Sequence, residues 1–226
     1  MVRTDNDSEL GGASQQHMLT GSASGLADSR VREAGSGYCS KSSEHPTKFR
    51  AATWNIGTLK SRSAEVVETL TRRKVDLCAI QEHRWAGGLT ANQARLIKGK
   101  DSVYKFYWSA NNKGLGGVGF LLAEQWLEKV FDVQRISDRI IQIRLILGKV
   151  IFTFLSVYAP QVRRTEAEKQ HFYDQLQVSV NRIPASEVLF PLGDWNGHVG
   201  AESSGYEDAH GGRGFGTRNP EGERDI

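Results

Sequence analysis

The chain has 226 residues and a formal net charge of +3, with 29 Lys and Arg against 26 Asp and Glu. Such a length favours a single folded domain and excludes little else. Residues 1–47 contain nine Ser, six Gly and no hydrophobic periodicity, so we expect a disordered tail there. With the tail's four basic and six acidic residues set aside, the predicted domain over 48–226 carries +5, which suits a polyanionic partner.

Cysteine usage and hydropathy limit the cellular setting. Cys39 and Cys78 lack CxxC spacing, which argues against a zinc site and a disulfide framework and indicates a reducing compartment. The most apolar stretch, Ile140 to Tyr158, is interrupted by Gln142 and Arg144, which excludes a membrane span there. The N-terminus lacks the basic start and apolar core of a secretory signal. We expect a nuclear or cytoplasmic protein with no membrane partner; its oligomeric state is not indicated.

The first half of the domain predicts a strand–helix–strand unit. Phe49 to Asn55 is a short apolar run typical of a buried strand. Ser63 to Arg73 has apolar residues at helical spacing, with Ser61 or Ser63 as the expected N-cap. Val75 to Ile80 predicts a second strand. A helix between two strands favours parallel pairing.

The second half predicts further strands and one more helix. Gly114 to Leu122 is a glycine-rich segment that leads into a strand. Two β-branched runs, Ile140 to Leu147 and Val150 to Tyr158, are joined by Gly-Lys and predict a hairpin. Glu166 to Ile183 predicts an amphipathic helix, and Val188 to Leu192 a strand. Helices and strands mix throughout, so the fold class is α/β with a mixed sandwich.

Four polar tetrads stand at the ends of these strand-like runs. They are Thr53-Trp54-Asn55-Ile56, Ile80-Gln81-Glu82-His83, Val157-Tyr158-Ala159-Pro160 and Gly193-Asp194-Trp195-Asn196. Each one alone has an ordinary explanation: a solvated Glu, a turn built by Asn or Asp, or a strand aromatic followed by a strand-ending Pro. The four together predict a site for metal-assisted cleavage of phosphodiesters.

That chemistry assigns roles to three of the side chains. Charge on the phosphoryl oxygens has to be neutralised, and a water molecule has to be aimed in line with the leaving oxygen. Glu82 is the candidate ligand for Mg²⁺ or Mn²⁺, because Mg²⁺ needs only one or two carboxylates besides water and substrate phosphate. Asp194 is the candidate that orients or deprotonates water, and Asn196 the candidate donor to the phosphoryl oxygen.

The chain resembles the endonuclease/exonuclease/phosphatase superfamily, also called DNase I-like. The resemblance covers residues 48–226 and rests on Thr-Trp-Asn-Ile-Gly-Thr-Leu59, Ile-Gln-Glu-His-Arg-Trp85, Gly-Gly-Val-Gly-Phe120, Val-Tyr-Ala-Pro160 and Gly-Asp-Trp-Asn196, in the family's order. With the segment from His210 to Arg224, it is most similar to the retrotransposon-derived subgroup labelled craniofacial development protein 2-like. The resemblance implies a four-layer αββα sandwich of two mixed β-sheets.

The resemblance also implies functions for individual residues. Asn55 is expected to help set the metal and catalytic network, and Glu82 to be the metal ligand. Tyr158 is expected to contact the scissile phosphate. Asp194 is expected to position or activate water, and Asn196 to support the transition state.

Two departures from the family pattern lower the expected activity. Gly57 stands where some relatives have an acidic residue, although retrotransposon members often lack that acid. The family's later motifs, which end in Ser-Asp-His, have no counterpart before Ile226. None of the six histidines replaces that His convincingly. We therefore expect a partial domain that lacks the C-terminal strands and has weak or no activity.

Three functions stay open at this stage. The first is a metal-dependent DNA endonuclease of retrotransposon or apurinic type, with Lys60, Arg62, Arg84 and Lys113 as candidate phosphate contacts. These basic side chains are equally consistent with an ordinary solvated surface. The second is a catalytically dead module that binds nucleic acid or another partner. The third is a phosphoesterase that acts on small phosphates or lipids.

Overall fold

The computed structural model describes residues 48–87, 94–208, 210 and 214–224. The predicted tail over 1–47, with Cys39, lies outside the described residues. Within the described ranges, no helix is both long and apolar enough to cross a membrane. The described residues form two β-sheets with helices on their outer faces.

The first sheet has five strands, and helix α1 (Ser63–Arg72) connects its first two. The strands are β1 (Ala51–Asn55), β2 (Leu77–Gln81), β3 (Ala94–Lys98), β4 (Val103–Ser109) and β5 (Val118–Ala123). They lie in the order β1-β2-β5-β4-β3. β1 and β2 are parallel, which confirms the strand–helix–strand prediction, and the other pairs are antiparallel.

The second sheet has four strands that lie in sequence order. They are β6 (Val130–Arg135), β7 (Ile140–Leu147), β8 (Val150–Tyr158) and β9 (Val188–Asp194), and a 3-10 helix, Glu124–Lys129, precedes β6. β7 and β8 form the predicted antiparallel hairpin. Helix α2 (Glu166–Asn181) connects β8 to β9, which pair in parallel.

The two sheets pack face to face over an apolar core. Fully buried residues from both inner faces meet there, including Phe120 and Leu122 of β5 and Ile141 and Ile143 of β7. On the outer face of the first sheet, α1 buries Val66, Val67 and Leu70. On the outer face of the second sheet, α2 packs Phe172 against Leu155 and Val157. The four-layer αββα sandwich is thereby confirmed.

Helix capping differs from the prediction for α1. Ser61 and Ser63 do not cap this helix: Arg62 is its N-cap, without a side-chain bond, and Ser61 has a positive φ of 60°. α2 instead has a full capping box, in which Thr165 and Glu168 bond reciprocally to each other's backbone N–H. A short helix α3 (Pro220–Arg224) follows near the end of the described residues.

The sequence patterns did not predict three of the strands. β4 alternates aromatic residues, Tyr104, Phe106 and Trp108, with other residues, so a period-two signal was present. β6 has apolar residues at Val130, Phe131 and Val133, which do not alternate with polar ones. β3 carried no usable signal, because half-exposed Leu96 and buried Ile97 are adjacent on this edge strand and charged residues flank the pair.

The packing of the inner core predicts that substitutions of two phenylalanines differ strongly in their effect on stability. Phe120→Ala leaves a cavity between the sheets, and we expect the free energy of unfolding to fall by about 3–5 kcal/mol. Phe215→Ala is the matched control, because the Phe215 side chain is 91% exposed and its loss changes stability by about 0.5 kcal/mol or less. Urea unfolding followed by circular dichroism measures both, and equal losses would contradict the assigned core.

Candidate active site

Two parallel strand pairs bring the predicted site residues to one edge of the sandwich. Asn55 ends β1 and Glu82 directly follows β2, so both lie at the carboxyl ends of a parallel pair. Tyr158 and Asp194 end β8 and β9 and are register partners. β1 lies against β9 across the sandwich. Each sheet therefore contributes two of these four side chains.

The Asn55 amide joins the two sheets. Its Nδ2 atom donates to Glu82 Oε1 at 3.0 Å and to Asp194 Oδ2 at 2.8 Å. The Asn55 Oδ1 atom accepts from the backbone N–H of Gly57 at 3.1 Å, which fixes the orientation of the amide. One neutral group thus holds two carboxylates close together, where their like charges would otherwise repel.

Tyr158 completes the set around Glu82. Its hydroxyl donates to Glu82 Oε1 at 2.8 Å. Burial raises the pKa of Tyr158, and the negative charges of Glu82 and Asp194 raise it further. The phenol is therefore protonated at neutral pH and acts as a hydrogen-bond donor.

Glu82 is presented from a strained backbone. Its φ is 57° and that of Arg84 is also 57°, in the left-handed region that residues with a Cβ rarely occupy. Burial raises the pKa of Glu82, but hydrogen bonds from Asn55, Tyr158 and Arg84 outweigh it and leave the pKa lowered. Glu82 is therefore ionised at neutral pH, as a metal ligand must be.

Asn196 lies beside the cluster and bonds to its framework. Its backbone N–H donates to Asp194 Oδ1 at 3.0 Å, and its side-chain Nδ2 donates to the carbonyl of Ala159 at 2.7 Å. Its φ of 52° is again left-handed. Backbone strain at Glu82 and Asn196 clusters where function is expected.

Arg139, which the sequence did not single out, contacts both the ring and the backbone carbonyl of Tyr158. The Arg139 guanidinium lies over the Tyr158 ring, 5.2 Å from its centroid, and donates to the carbonyl of Tyr158 at 3.0 Å. Arg139 sits in the turn before β7, 19 residues from Tyr158. No sequence pattern marks it, because only the pairing of β7 with β8 brings the two together.

The four predicted nucleic-acid contacts lie in loops at the same edge of the first sheet, and all are exposed. Lys60 and Lys113 make no ion pair within the described residues. Arg62 pairs with Glu65 at 3.2 Å, and Arg84 pairs with Glu82 Oε2 at 3.2 Å. Arg84 therefore contacts the cluster directly.

The histidines do not join the cluster in the part of the chain that the structure describes. His83 is fully buried: its Nδ1 accepts the backbone N–H of Trp85 at 3.0 Å, so its Nε2 donates to the carbonyl of Ser109. Burial lowers the pKa of His83 to about 4, and the ring is neutral at pH 7. His210 is buried against Gly200, whereas His171 and His198 are exposed. His17 and His45 lie outside the described residues.

The oxygen donor set fits Mg²⁺ or Mn²⁺ better than zinc or copper. Within the described ranges, no three His, Cys, Asp or Glu side chains gather as a metal-binding group. Mg²⁺ needs fewer protein ligands, because it retains water and takes oxygen from substrate phosphates. Ionised Glu82 and neighbouring Asp194, with no sulfur or imidazole ligand beside them, match that requirement.

Comparison with known proteins settles the family. The sequence profile of the endonuclease/exonuclease/phosphatase family matches residues 52–223. The chain belongs to this family. Craniofacial development protein 2 from Bos taurus and from Tragulus javanicus are each 27% identical to it over 180 residues, or 79% of the chain. The chain spans 29% and 30% of their lengths.

Solved structures in the family share the fold. The endonuclease domain of TRAS1, a telomere-specific non-LTR retrotransposon, superposes with a TM-score of 0.50 at 18% identity, over 78% of this chain and 68% of that one. The AP endonuclease LMAP from Leishmania major superposes with a TM-score of 0.51 at 13% identity, over 69% and 56%. These likenesses support the two-sheet architecture of the family member described here.

Buried His83 predicts a pH-dependent stability. Because its folded pKa of about 4 lies below the ordinary 6.5, the unfolded chain binds a proton in this window that the folded chain does not. The contribution of buried His83 to the free energy of unfolding is therefore fully present above pH 6.5. It is lost as the pH drops toward 4, by on the order of 3 kcal/mol. We expect His83→Gln to lose this component of the pH dependence.

Urea unfolding in steps from about pH 4 to about pH 7 measures the effect. His171→Gln, which alters an exposed histidine, is the control and should keep the wild-type profile. If the free energy of unfolding depended on pH in the same way for wild type and His83→Gln, the lowered pKa assigned to His83 would be contradicted.

Proposed function

We propose that this chain hydrolyses phosphodiester bonds in DNA with a divalent cation, Mg²⁺ or Mn²⁺. The observation that carries the proposal is the Asn55 amide, which holds Glu82 and Asp194 together beside the Tyr158 hydroxyl. Family membership supports phosphodiester or phosphomonoester hydrolysis in general. DNA as substrate is supported by the basic domain and by relatives described as endonucleases.

Each residue has a defined task in this reaction. Glu82, held ionised, would be the protein ligand of a divalent cation, which would supply neutralisation of charge on the phosphoryl oxygens. Asn55 orients both carboxylates. Asp194 accepts a proton from, or aligns, the attacking water through a carboxylate that is held at Oδ2 by Asn55 and at Oδ1 by Asn196. Tyr158 directs its hydroxyl toward the phosphate position beside Glu82.

The exposed basic loops extend this site along a nucleic-acid backbone. Lys60, Arg62, Arg84 and Lys113 are exposed in loops at the same edge and would supply charges for neighbouring phosphates. Arg84 exchanges its bond with Glu82 for a phosphate when DNA is bound. Among the described residues no histidine ring reaches the cluster. A histidine donor to the developing charge contributes about 10²–10³ in rate, so we expect the described residues by themselves to cleave slowly.

Nicking of supercoiled plasmid in Mg²⁺ tests the site. We expect Glu82→Gln and Asp194→Asn each to reduce nicking by about 10²–10³-fold, because each removes a charge that acts in the transition state. Glu128→Gln, which alters an exposed carboxylate outside the cluster, should leave the rate unchanged. Chelation of the cation should abolish nicking in all variants. Nicking that survives both site substitutions would overturn the assignment.

Tyr158→Phe separates positioning from folding. The ring stays stacked under Arg139, and only the hydroxyl that donates to Glu82 is lost. We expect nicking to fall by about 10–10²-fold while the melting temperature changes little. The pKa of Glu82, followed by carbon-13 NMR of its carboxyl, should rise, because one of the bonds that lower it is absent. An unchanged Glu82 titration would contradict the bond.

A DNA-binding module without cleavage is the second candidate. The absence of a histidine contact in the described residues and the Arg84–Glu82 ion pair favour it. DNA binding that weakens steeply with salt, without detectable nicking in Mg²⁺ or Mn²⁺, would select this function. Nicking that depends on Glu82 would select the enzyme.

A further inference from the structure

A basic cavity lies at the end of the first sheet opposite to the candidate active site. Its volume is about 430 Å³, and it is lined by Arg50, Arg72, Arg73, Lys74 and the apolar residues Ala51, Ala52 and Val75. Arg50 precedes β1, whereas Asn55 ends it, and five strand residues span about 16 Å. The cavity is therefore separate from the cluster around Glu82.

Four basic side chains line this cavity. All four basic residues are exposed, and no acidic residue is among the seven that line the cavity. Within the described part of the chain, Arg50, Arg72 and Lys74 form no ion pair. Asp76 is nearby, but its carboxylate accepts from the Arg50 backbone N–H and from Gln125 and Trp126. The cavity therefore has a net positive potential.

Local geometry holds the basic groups in place. Arg50 Nη1 donates to the carbonyl of Arg73, which anchors one guanidinium at the C-terminal end of α1. Lys74 has a φ of 54° and occupies the left-handed position just past this helix, where Gly is usual. The Lys74 N–H bonds to Thr71 and the Val75 N–H to Leu70, which fixes this turn. A lysine kept at a strained position points to a use for its charge.

Basic residues also occur at helix C-termini because they complement the helix dipole. That explains Arg72 and Arg73, but it explains neither Arg50, which comes from the strand side, nor a lysine in the left-handed turn. Basic side chains that come from two elements and line one cavity form an arrangement suited to an anion.

We propose that this cavity is a second nucleic-acid site, which binds backbone phosphates without cleaving them. No aromatic ring is among its lining residues, so it offers nothing on which a base would stack. None of the exposed large apolar side chains lies in it either, as insertion into a membrane surface would require. Recognition is therefore electrostatic and independent of base sequence.

The site extends the proposed function from one contact surface to two. The basic cavity retains a nucleic acid that is cut at the other end of the sandwich, or it holds a second segment of that nucleic acid. Binding at the cavity needs neither a metal ion nor Glu82, so it can be tested separately from cleavage.

Fluorescence anisotropy with a labelled DNA duplex in EDTA tests the site. Arg72→Ala/Lys74→Ala removes two charges at exposed positions, and we expect affinity at 0.1 M salt to fall by about tenfold or more. The slope of log affinity against log salt should become shallower by about two. Lys149→Ala/Arg163→Ala is the matched control, because it removes the same charge from exposed positions elsewhere.

The conservative variant Arg72→Lys/Lys74→Arg should bind as wild type, which separates charge from misfolding. An unchanged affinity and slope in Arg72→Ala/Lys74→Ala, or an equal loss in the control, would overturn the proposal. Loss of binding to phosphatidylserine vesicles with DNA binding intact would also overturn it, in favour of a membrane. Nicking tests the active site independently, since a chain that fails to nick can still show the predicted salt slope.

Discussion

The double hydrogen bond of the Asn55 amide is the interaction on which the candidate site depends. Two carboxylates from different sheets lie near each other only because one neutral donor bonds to both. The bond to Asp194 also joins the end of β1 to the end of β9. The same contact therefore fixes both the alignment of the two sheets and the geometry of the site. An alanine at this position leaves two neighbouring negative charges without their common partner.

Strain around Glu82 is balanced by bonds on either side of it. The Glu82 N–H bonds to Gly117, the Arg84 N–H to Gly116, and the Leu59 N–H to the carbonyl of His83. Buried, neutral His83 holds the same segment from within the core. The histidine next to the candidate metal ligand thus holds the backbone that presents Glu82, and both of its ring nitrogens bond to backbone groups of Ser109 and Trp85.

Strand direction gives the first sheet two ends of different character. The carboxyl ends of β1 and β2 carry the polar cluster, whereas the amino end of β1 and the turn before β2 carry the arginines and lysine of the basic cavity. Parallel pairing places like ends together, so the carboxylates of the cluster gather at one end of the sheet, where Arg84 pairs with Glu82, and the basic cavity lies at the other end. The two proposed sites would hold a polyanion in complementary ways, one through a cation and the other through basic side chains.

The sequence by itself determined the α/β class, the strand–helix–strand unit, the β7–β8 hairpin and the position of Asn55, Glu82, Tyr158 and Asp194 at strand ends, because strands and their ends are local patterns. Tertiary structure alone decided which atoms meet: the amide that bridges the sheets, Arg139 behind Tyr158, Arg84 on Glu82 and the buried state of His83. Those contacts join residues far apart in the chain, and hydrophobic periodicity contains no information about such pairs. β3 was missed because its half-exposed edge position leaves no alternation to detect.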